Sequence, residues 1–143
     1  MYTITDRPTE DAKMIRQQVF VDEQHFEDEF DELDGRSRHI VLYIKNKPAA
    51  TCRYYPCGEK GKYIIGRMAV LPEYRGQQVG KKVMEKAEKA IADDGGCSVS
   101  LSAQVQASGF YQKCGYIPCG ETFLEQGCPH IQMEKRLTVS VQS

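Results

Sequence analysis

One stretch of this chain combines residue types suited to phosphate chemistry: Arg67-Met68-Ala69-Val70-Leu71-Pro72-Glu73-Tyr74-Arg75-Gly76-Gln77-Gln78-Val79-Gly80-Lys81-Lys82. An apolar strand candidate runs into a glycine-bearing turn, and the turn opens an amphipathic helix. The first amides of a helix have no partner inside it, and together with the helix dipole they attract an anion; glycine lets a phosphate come close to them. Arg75, Lys81 and Lys82 add positive charge at the same end. The spacing of Gly76 and Gly80 does not satisfy G-x-x-x-x-G-K-[ST], and G-x-G-x-x-G is absent, so neither nucleotide fingerprint applies. On these grounds alone an ordinary strand-to-helix loop with solvated basic side chains reads the same way.

Thiols are the second chemically capable group. Cys52, Cys57, Cys97, Cys114, Cys119 and Cys128 are scattered, with no C-x-x-C pair and no histidine at zinc-ligand spacing from two of them. Cys128-Pro129-His130 is the nearest approach to a metal motif. Free thiols and no metal are therefore expected, and a redox or metal protein rests on the cysteine count alone.

The elements that must position these residues follow from periodicity. Tyr2 to Thr5 is a strand candidate, and Pro8-Thr9-Glu10-Asp11 starts a helix in which Ala12, Ile15 and Val19 recur at helical spacing. Asp22 to Asp34 holds eight acidic residues in thirteen, with Phe26, Phe30 and Leu33 as anchors, and reads as a loop or short irregular helix. His39 to Lys45, Ala49 to Tyr55 and Lys62 to Val70 alternate with turn signals at Asn46-Lys47-Pro48 and Gly58-Glu59-Lys60-Gly61, which predicts an antiparallel meander. From Val79, the positions Val83, Met84, Ala87, Ala90 and Ile91 mark one face of a helix stopped by Asp93-Asp94-Gly95-Gly96. Cys97 to Leu101 alternates as a strand, Gln104 to Cys114 reads as a short helix capped by Gly115, and Tyr116 to Cys119 and His130 to Leu137 close the chain. This order predicts a mixed α/β fold: a mostly antiparallel twisted sheet flanked by helices on both faces. Residues 1–137 are expected to form a single domain and 138–143 a loose tail.

The 143 residues suit one domain, and 41% hydrophobic with 27% charged residues excludes disorder or a disulfide scaffold. The net charge of −1 gives no general attraction to nucleic acid or anionic lipid. No apolar run approaches a membrane span, and the first residues lack the pattern of a signal peptide, so a cytoplasmic location is expected. Near-neutrality here is cancellation, with acid concentrated between Asp22 and Asp34 and base at Arg75, Lys81 and Lys82. The acidic stretch reads either as a solvated loop or as a lure for a cationic amine.

Arg67 to Gly80 resembles the acetyl-CoA-binding segment of the GNAT superfamily of N-acetyltransferases, and Ala107-Ser108-Gly109-Phe110-Tyr111-Gln112-Lys113-Cys114-Gly115-Tyr116 is similar to a second motif of that family. Leu101-Ser102-Ala103-Gln104, Gly120 to His130, and Val19 to Gln24 further resemble its small bacterial ElaA-like branch. The chain departs from the pattern at Gln78, where the motif has its interior glycine, at Gln104, where an asparagine is usual, and at Ser102, where the branch often has histidine.

The resemblance implies acetyl-CoA as co-substrate, a sheet splayed mid-way at the coenzyme cleft between the strands Lys62 to Val70 and Cys97 to Leu101, and transfer to a primary amine without a covalent enzyme intermediate. Met68, Ala69 and Val70 would pair with the pantetheine arm, and the amides of Arg75, Gly76, Gln77, Gln78, Val79, Gly80 and Lys81 would hold the pyrophosphate, with Gln104 on the coenzyme side as well. An N–H near Met68 or Ala69 would polarise the thioester oxygen. Tyr111 takes the family's general-acid position, since a phenol stays protonated at neutral pH and can protonate a departing thiolate. Without the family motif, Phe110, Tyr111 and Tyr116 read as core aromatics. Glu23, Glu121 and His130 are the general-base candidates, beside a water relay. Cys114 is expected as a small buried hydrophobe rather than a nucleophile. The acceptor is a small-molecule or peptide amine, chosen by the N-terminal loop and the Gly120 to His130 connection, and a homodimer through the closing strands is plausible. The rival function is a non-catalytic acyl-CoA-binding module.

Overall fold

The computed structural model describes residues 1–26 and 30–137. Seven strands form one sheet in the order β1-β2-β3-β4-β5-β7-β6. They are β1 (Tyr2–Thr5), β2 (Arg38–Ile44), β3 (Lys47–Pro56), β4 (Lys62–Val70), β5 (Ser98–Gln104), β6 (Ile117–Glu125) and β7 (Cys128–Arg136). The helices are α1 (Glu10–Arg16), α2 (Val79–Asp93) and α3 (Ser108–Lys113). The mixed, mostly antiparallel sheet expected from the sequence is the one that forms. Its residues belong to two compact units, one made of Met1–Tyr55 and Ile65–Ala87, the other of Pro56–Ile64 and the chain from Glu88 onward.

In the first unit, β1 and β2 pair antiparallel with Ile4 opposite Ile40, and β2 pairs antiparallel with β3 with Val41 opposite Thr51. Lys45 and Asn46 both take positive φ, 50° and 68°, the geometry of the tight hairpin turn whose twist matches the strands it joins. The turn is thus two residues earlier than Pro48, which instead sits in β3 opposite Tyr43, where the register shifts. Residues 39–42 of β2 are all buried, so the strand is covered on both faces. On one face Val41 packs with Ala12, Ile15, Val19 and Phe20 of the α1 segment and with Ala69 and Leu71. On the other, the Lys86 ammonium of α2 lies 5.1 Å from the ring centroid of Tyr2, which pairs with Leu42. The helices therefore flank opposite faces.

The helical segment at the N-terminus differs from expectation. Thr9 caps α1, its hydroxyl accepting from Ala12 N at 3.2 Å, but after Arg16 the coil widens into a π-helix, Gln17–Glu23. The buried positions Ala12, Ile15, Val19 and Phe20 continue through the change, which is why apolar spacing does not reveal it. Of the two readings of Asp22 to Asp34, short irregular helix is the one found at its ends: the π-helix takes its start, and a 3₁₀ helix, Glu32–Arg36, capped by Asp31, takes its end. Glu27, Asp28 and Glu29 lie outside the described residues.

In the second unit, β4 and β5 run parallel over Lys62↔Ser98, Tyr63↔Val99 and Ile64↔Ser100, at the beginnings of both strands. β5 pairs antiparallel with β7 along its whole length, Ser98↔Arg136 to Gln104↔His130. Val99, Leu101 and Ala103 are buried while the serines between them face outward, the alternation that marks a strand in the sequence. Two expected boundaries move. Gln104 ends β5 and is followed by a 3₁₀ turn, Val105–Ala107, before α3. The Gly120 to His130 connection is mostly hairpin: β6 and β7 meet around Gln126 and Gly127, with Leu124 opposite Pro129. β6 hides almost nothing, so it offers no apolar period to read.

Candidate functional site

The coenzyme-segment candidates begin where β4 ends. Arg67 has φ of 51°, a left-handed conformation inside a strand, and breaks the strand's regularity just before Met68 and Val70, both half-buried, and the buried Ala69. Leu71 N donates to Ala49 O at 2.9 Å, and Pro72–Tyr74 forms a 3₁₀ turn that delivers Arg75. Gly76 and Gln78 then take positive φ, 80° and 62°. The first helical bond runs from Lys82 N to Gln78 O at 3.1 Å, so the amides of Gln78, Val79, Gly80 and Lys81 have no acceptor within α2. No acidic side chain occupies the first turn of this helix, and a Cβ on Gly76 would meet nothing within 4 Å. Unsatisfied amides, the positive end of a fifteen-residue helix and open space beside a glycine are suited to an anion.

Gln78 occupies a backbone conformation that glycine adopts without strain and other L-residues do not. Gln78→Gly is expected to stabilise the chain by about 0.5–1 kcal/mol, the relief of strain being partly offset by the entropy of the unfolded glycine, which raises Tm by roughly 2–4 °C. Thermal denaturation of the two proteins checks it.

Arg75 is fixed by three hydrogen bonds. Its Nε donates to Val70 O at 3.0 Å, and its two terminal nitrogens donate to Glu23 Oε2 and Oε1 at 2.9 and 2.8 Å. The sequence separates Glu23 and Arg75 by 52 positions, and the fold brings this base candidate against the loop that precedes α2. The hydrogen bonds from Arg75 hold the Glu23 carboxyl below its ordinary 4.5, so at neutral pH it is an ionised partner of a guanidinium.

Part of the acidic stretch is engaged internally, by arginines that meet Asp31 and Asp34. Asp34 accepts from Arg16 at 2.8 and 3.1 Å and from Arg53 at 2.9 Å; Asp31 accepts from Arg53 at 2.6 and 3.2 Å and from Arg67 at 3.2 Å. The Arg16 and Arg53 side chains are 1% and 4% exposed. Burial alone would raise the Asp34 carboxyl, but hydrogen bonds from Arg16 and Arg53 outweigh it and hold the group below 3.8. His39 Nε2 lies 3.0 Å from Asp34 O, and since a carbonyl only accepts, that nitrogen carries the proton. Burial pushes His39 below its usual value.

The second unit holds the remaining candidates. Gln104 lies directly opposite His130 at the end of the β5–β7 ladder, and its Oε1 accepts from Gln106 Nε2 at 2.6 Å. His130 is buried: Nδ1 donates to Cys128 O at 2.7 Å, Nε2 is 3.3 Å from Glu125 Oε2, and the ring stacks on Phe123 at 6.0 Å. Glu121 is exposed in the irregular stretch between Cys119 and Phe123. Tyr111 is half-buried, with its ring edge-on to Phe110 at 4.9 Å and to Tyr116 at 6.1 Å. Its backbone closes α3: Tyr116 N donates to Tyr111 O and Gly115 N to Gln112 O, each at 3.0 Å, with Gly115 at φ 98°. This is the Schellman arrangement, which brings together the side chains of the residues at Tyr111 and Tyr116. Cys114 is half-buried.

The family described as "Acetyltransferase (GNAT) domain" matches residues 5–137. The chain belongs to the GNAT N-acetyltransferases. Its relatives include the N-acetyltransferase YjcF of Bacillus subtilis, 43% identical over 128 residues that cover 87% of this chain and 90% of the relative. Protein ElaA of Escherichia coli is 34% identical over 86% of this chain and 84% of its own, and its crystal structure superposes with a TM-score of 0.81 over 94% of this chain and 98% of that one. The crystal structure of an acyl-CoA N-acyltransferase from Pseudomonas aeruginosa superposes with a TM-score of 0.80 at 28% identity, over 94% of this chain and 98% of that one. For a GNAT enzyme, periodicity and motif matching point to the helix mouth and to Tyr111 as candidates. They miss Glu23 as the partner of Arg75, and they miss Glu88 and Lys135, which flank Tyr116. Partners that lie far apart in sequence leave no local signal.

Proposed function

We infer that this GNAT enzyme transfers the acetyl group of acetyl-CoA directly to a primary amine on a small molecule or peptide. The observation that carries the reading is the mouth of α2, with amides at Gln78, Val79, Gly80 and Lys81 without helical acceptors, Gly76 open beside them, and no acid in the turn. Those residues suit a pyrophosphate, with Arg75 and Gln77 in the same loop. The backbone of Met68, Ala69 and Val70 would pair with the amide-bearing arm of the coenzyme, and an N–H there would stabilise the thioester oxygen as it gains charge. The amine, once deprotonated, forms the new C–N bond at the thioester carbon. The C–S bond breaks, and the departing thiolate takes the Tyr111 phenolic proton. Gln104 would lie on the coenzyme side. Of the base candidates, Glu23 is engaged by Arg75, His130 Nε2 faces Glu125, and Glu121 is exposed, which favours water as the carrier of the amine's proton. The reading extends to a cytoplasmic enzyme. A homodimer through the edge strand β6 fits its exposed Ile117 and Leu124, at 68% and 74%.

Thiol release from acetyl-CoA should depend on an added amine, yield one acetylated amine per thiol, and give intersecting initial-velocity lines. Parallel lines with an acetylated enzyme intermediate would overturn direct transfer. Gly80→Asp, which places a carboxylate at the helix mouth, is expected to weaken acetyl-CoA binding by about tenfold or more. Unchanged binding would remove the phosphate assignment.

A further inference from the structure

We propose that Glu88, Lys135 and Tyr116 are positioning residues for Tyr111; the inference rests on Tyr111 being the proton donor. Three elements meet at the C-terminal end of α3. Tyr116, 2% exposed, donates its hydroxyl to Glu88 Oε2 at 2.8 Å. The other oxygen of the same carboxylate, Oε1, accepts from Lys135 Nζ at 2.8 Å. That ammonium also donates to Cys114 O at 2.8 Å, a carbonyl the helix itself leaves unsatisfied, and stands 5.6 Å from the Tyr116 ring centroid. A Cβ on Gly115 would approach Lys135 Cε to 3.2 Å, closer than ordinary contact. Lys135 on β7 and Glu88 on α2 therefore brace the end of α3 from two sides.

The brace reaches Tyr111 by two routes. Tyr116 N holds Tyr111 O at 3.0 Å, and the Tyr116 ring meets the Tyr111 ring at 6.1 Å with an interplanar angle of 78°. A helix end needs only a glycine and solvated carbonyls to close. Placing a carboxylate with 12% exposed side chain and an ammonium there instead costs desolvation, which their mutual contact and their further hydrogen bonds to Tyr116 and Cys114 offset. What the arrangement provides is a fixed ring against which Tyr111 sits. A phenol that must meet a thiolate only as it forms depends on such placement, because an error near 1 Å costs on the order of 10²-fold in rate.

The test compares kcat and the acetyl-CoA KM for Glu88→Gln, Lys135→Met and Tyr116→Phe, each alone and combined with Tyr111→Phe, with Lys135→Arg as the conservative variant. Each single change except Lys135→Arg is expected to lower kcat about tenfold with KM moving less than about twofold, and the loss should vanish in the Tyr111→Phe background. Lys135→Arg should keep most of the turnover. Equal losses in both backgrounds would overturn the positioning role while leaving Tyr111 as donor. Wild-type turnover in Tyr111→Phe alone would overturn the donor assignment and this inference with it. A second readout does not depend on turnover: with ¹³C-labelled tyrosine, the Tyr111 ring resonance, assigned by its loss in Tyr111→Phe, should shift in Lys135→Met while that of buried Tyr54 stays put. Should Lys135→Met not fold, Tyr116→Phe, which keeps the ring and removes only the hydroxyl, gives the same reading. A stationary Tyr111 resonance would overturn the proposal.

Discussion

Asp34→Ala is expected to destabilise the protein by about 3–5 kcal/mol, a larger effect on stability than any other single substitution considered. Asp34 is the carboxylate that Arg16 and Arg53 share, and those side chains are 1% and 4% exposed, so removing it takes a shared buried acceptor from two guanidinium groups. Asp31 still engages Arg53. For a chain of this size the loss corresponds to a fall in Tm on the order of 10 °C. Acid should reproduce it in the wild type. Burial pushes the Asp31 and Asp34 carboxyls up, but the arginine hydrogen bonds win, and both folded values lie below 3.8. A depressed carboxyl contributes stability that is complete above the unfolded value and is lost as pH falls through the folded one. The gap in Tm between wild type and Asp34→Ala should therefore stay constant from neutral pH down to about 4 and narrow below it. A gap that is unchanged at pH 2 would show that the carboxylate's charge contributes nothing.

Tyr111→Phe is expected to lower kcat by about 10²-fold while the acetyl-CoA KM changes less than about threefold, the range of a missing general acid. The hydroxyl would act only as the thiolate departs, so its loss falls on the transition state and not on ground-state binding. Phenylalanine keeps the ring that meets Phe110 and Tyr116 and leaves untouched the backbone bond from Tyr116 N, so the end of α3 should remain folded. Steady-state kinetics with acetyl-CoA varied, alongside a melting curve, separates the two roles. Equal losses in turnover and affinity, or none in either, would make Tyr111 a packing residue.

Elements that bury one periodic face were legible in the sequence. α2 and β5 are legible because Val83, Met84, Ala87 and Ile91, or Val99 and Leu101, repeat at the spacing that burial demands, whereas the β2–β3 hairpin, with β2 buried on both faces, is legible from its turn residues. β6 was truncated because it buries almost nothing, and the switch from α1 to π-helix was invisible because the apolar stripe runs through it undisturbed. The helix mouth was legible as a local pattern of glycine and base, whereas the fates of Asp31, Asp34 and Glu23 depend on arginines 18 to 52 positions away. Charged residues announce their sign in a sequence, but not their partners. Arg16 on the buried face of α1 and Arg53 inside a buried strand are the residues from which an interior ion network could have been read.

Because Glu23 neutralises Arg75, the guanidinium at the head of the loop before α2 would bring no surplus charge to a phosphate bound there. Attraction at that point falls to main-chain dipoles, with Lys81 and Lys82 as exposed auxiliaries. Recognition written in the main chain would tolerate exchange of side chains, such as the glutamine at position 78. What such a loop cannot exchange is its handedness: any replacement that drives Gly76 or Gln78 back to negative φ would turn the amides away and silence the site while every charge stayed in place.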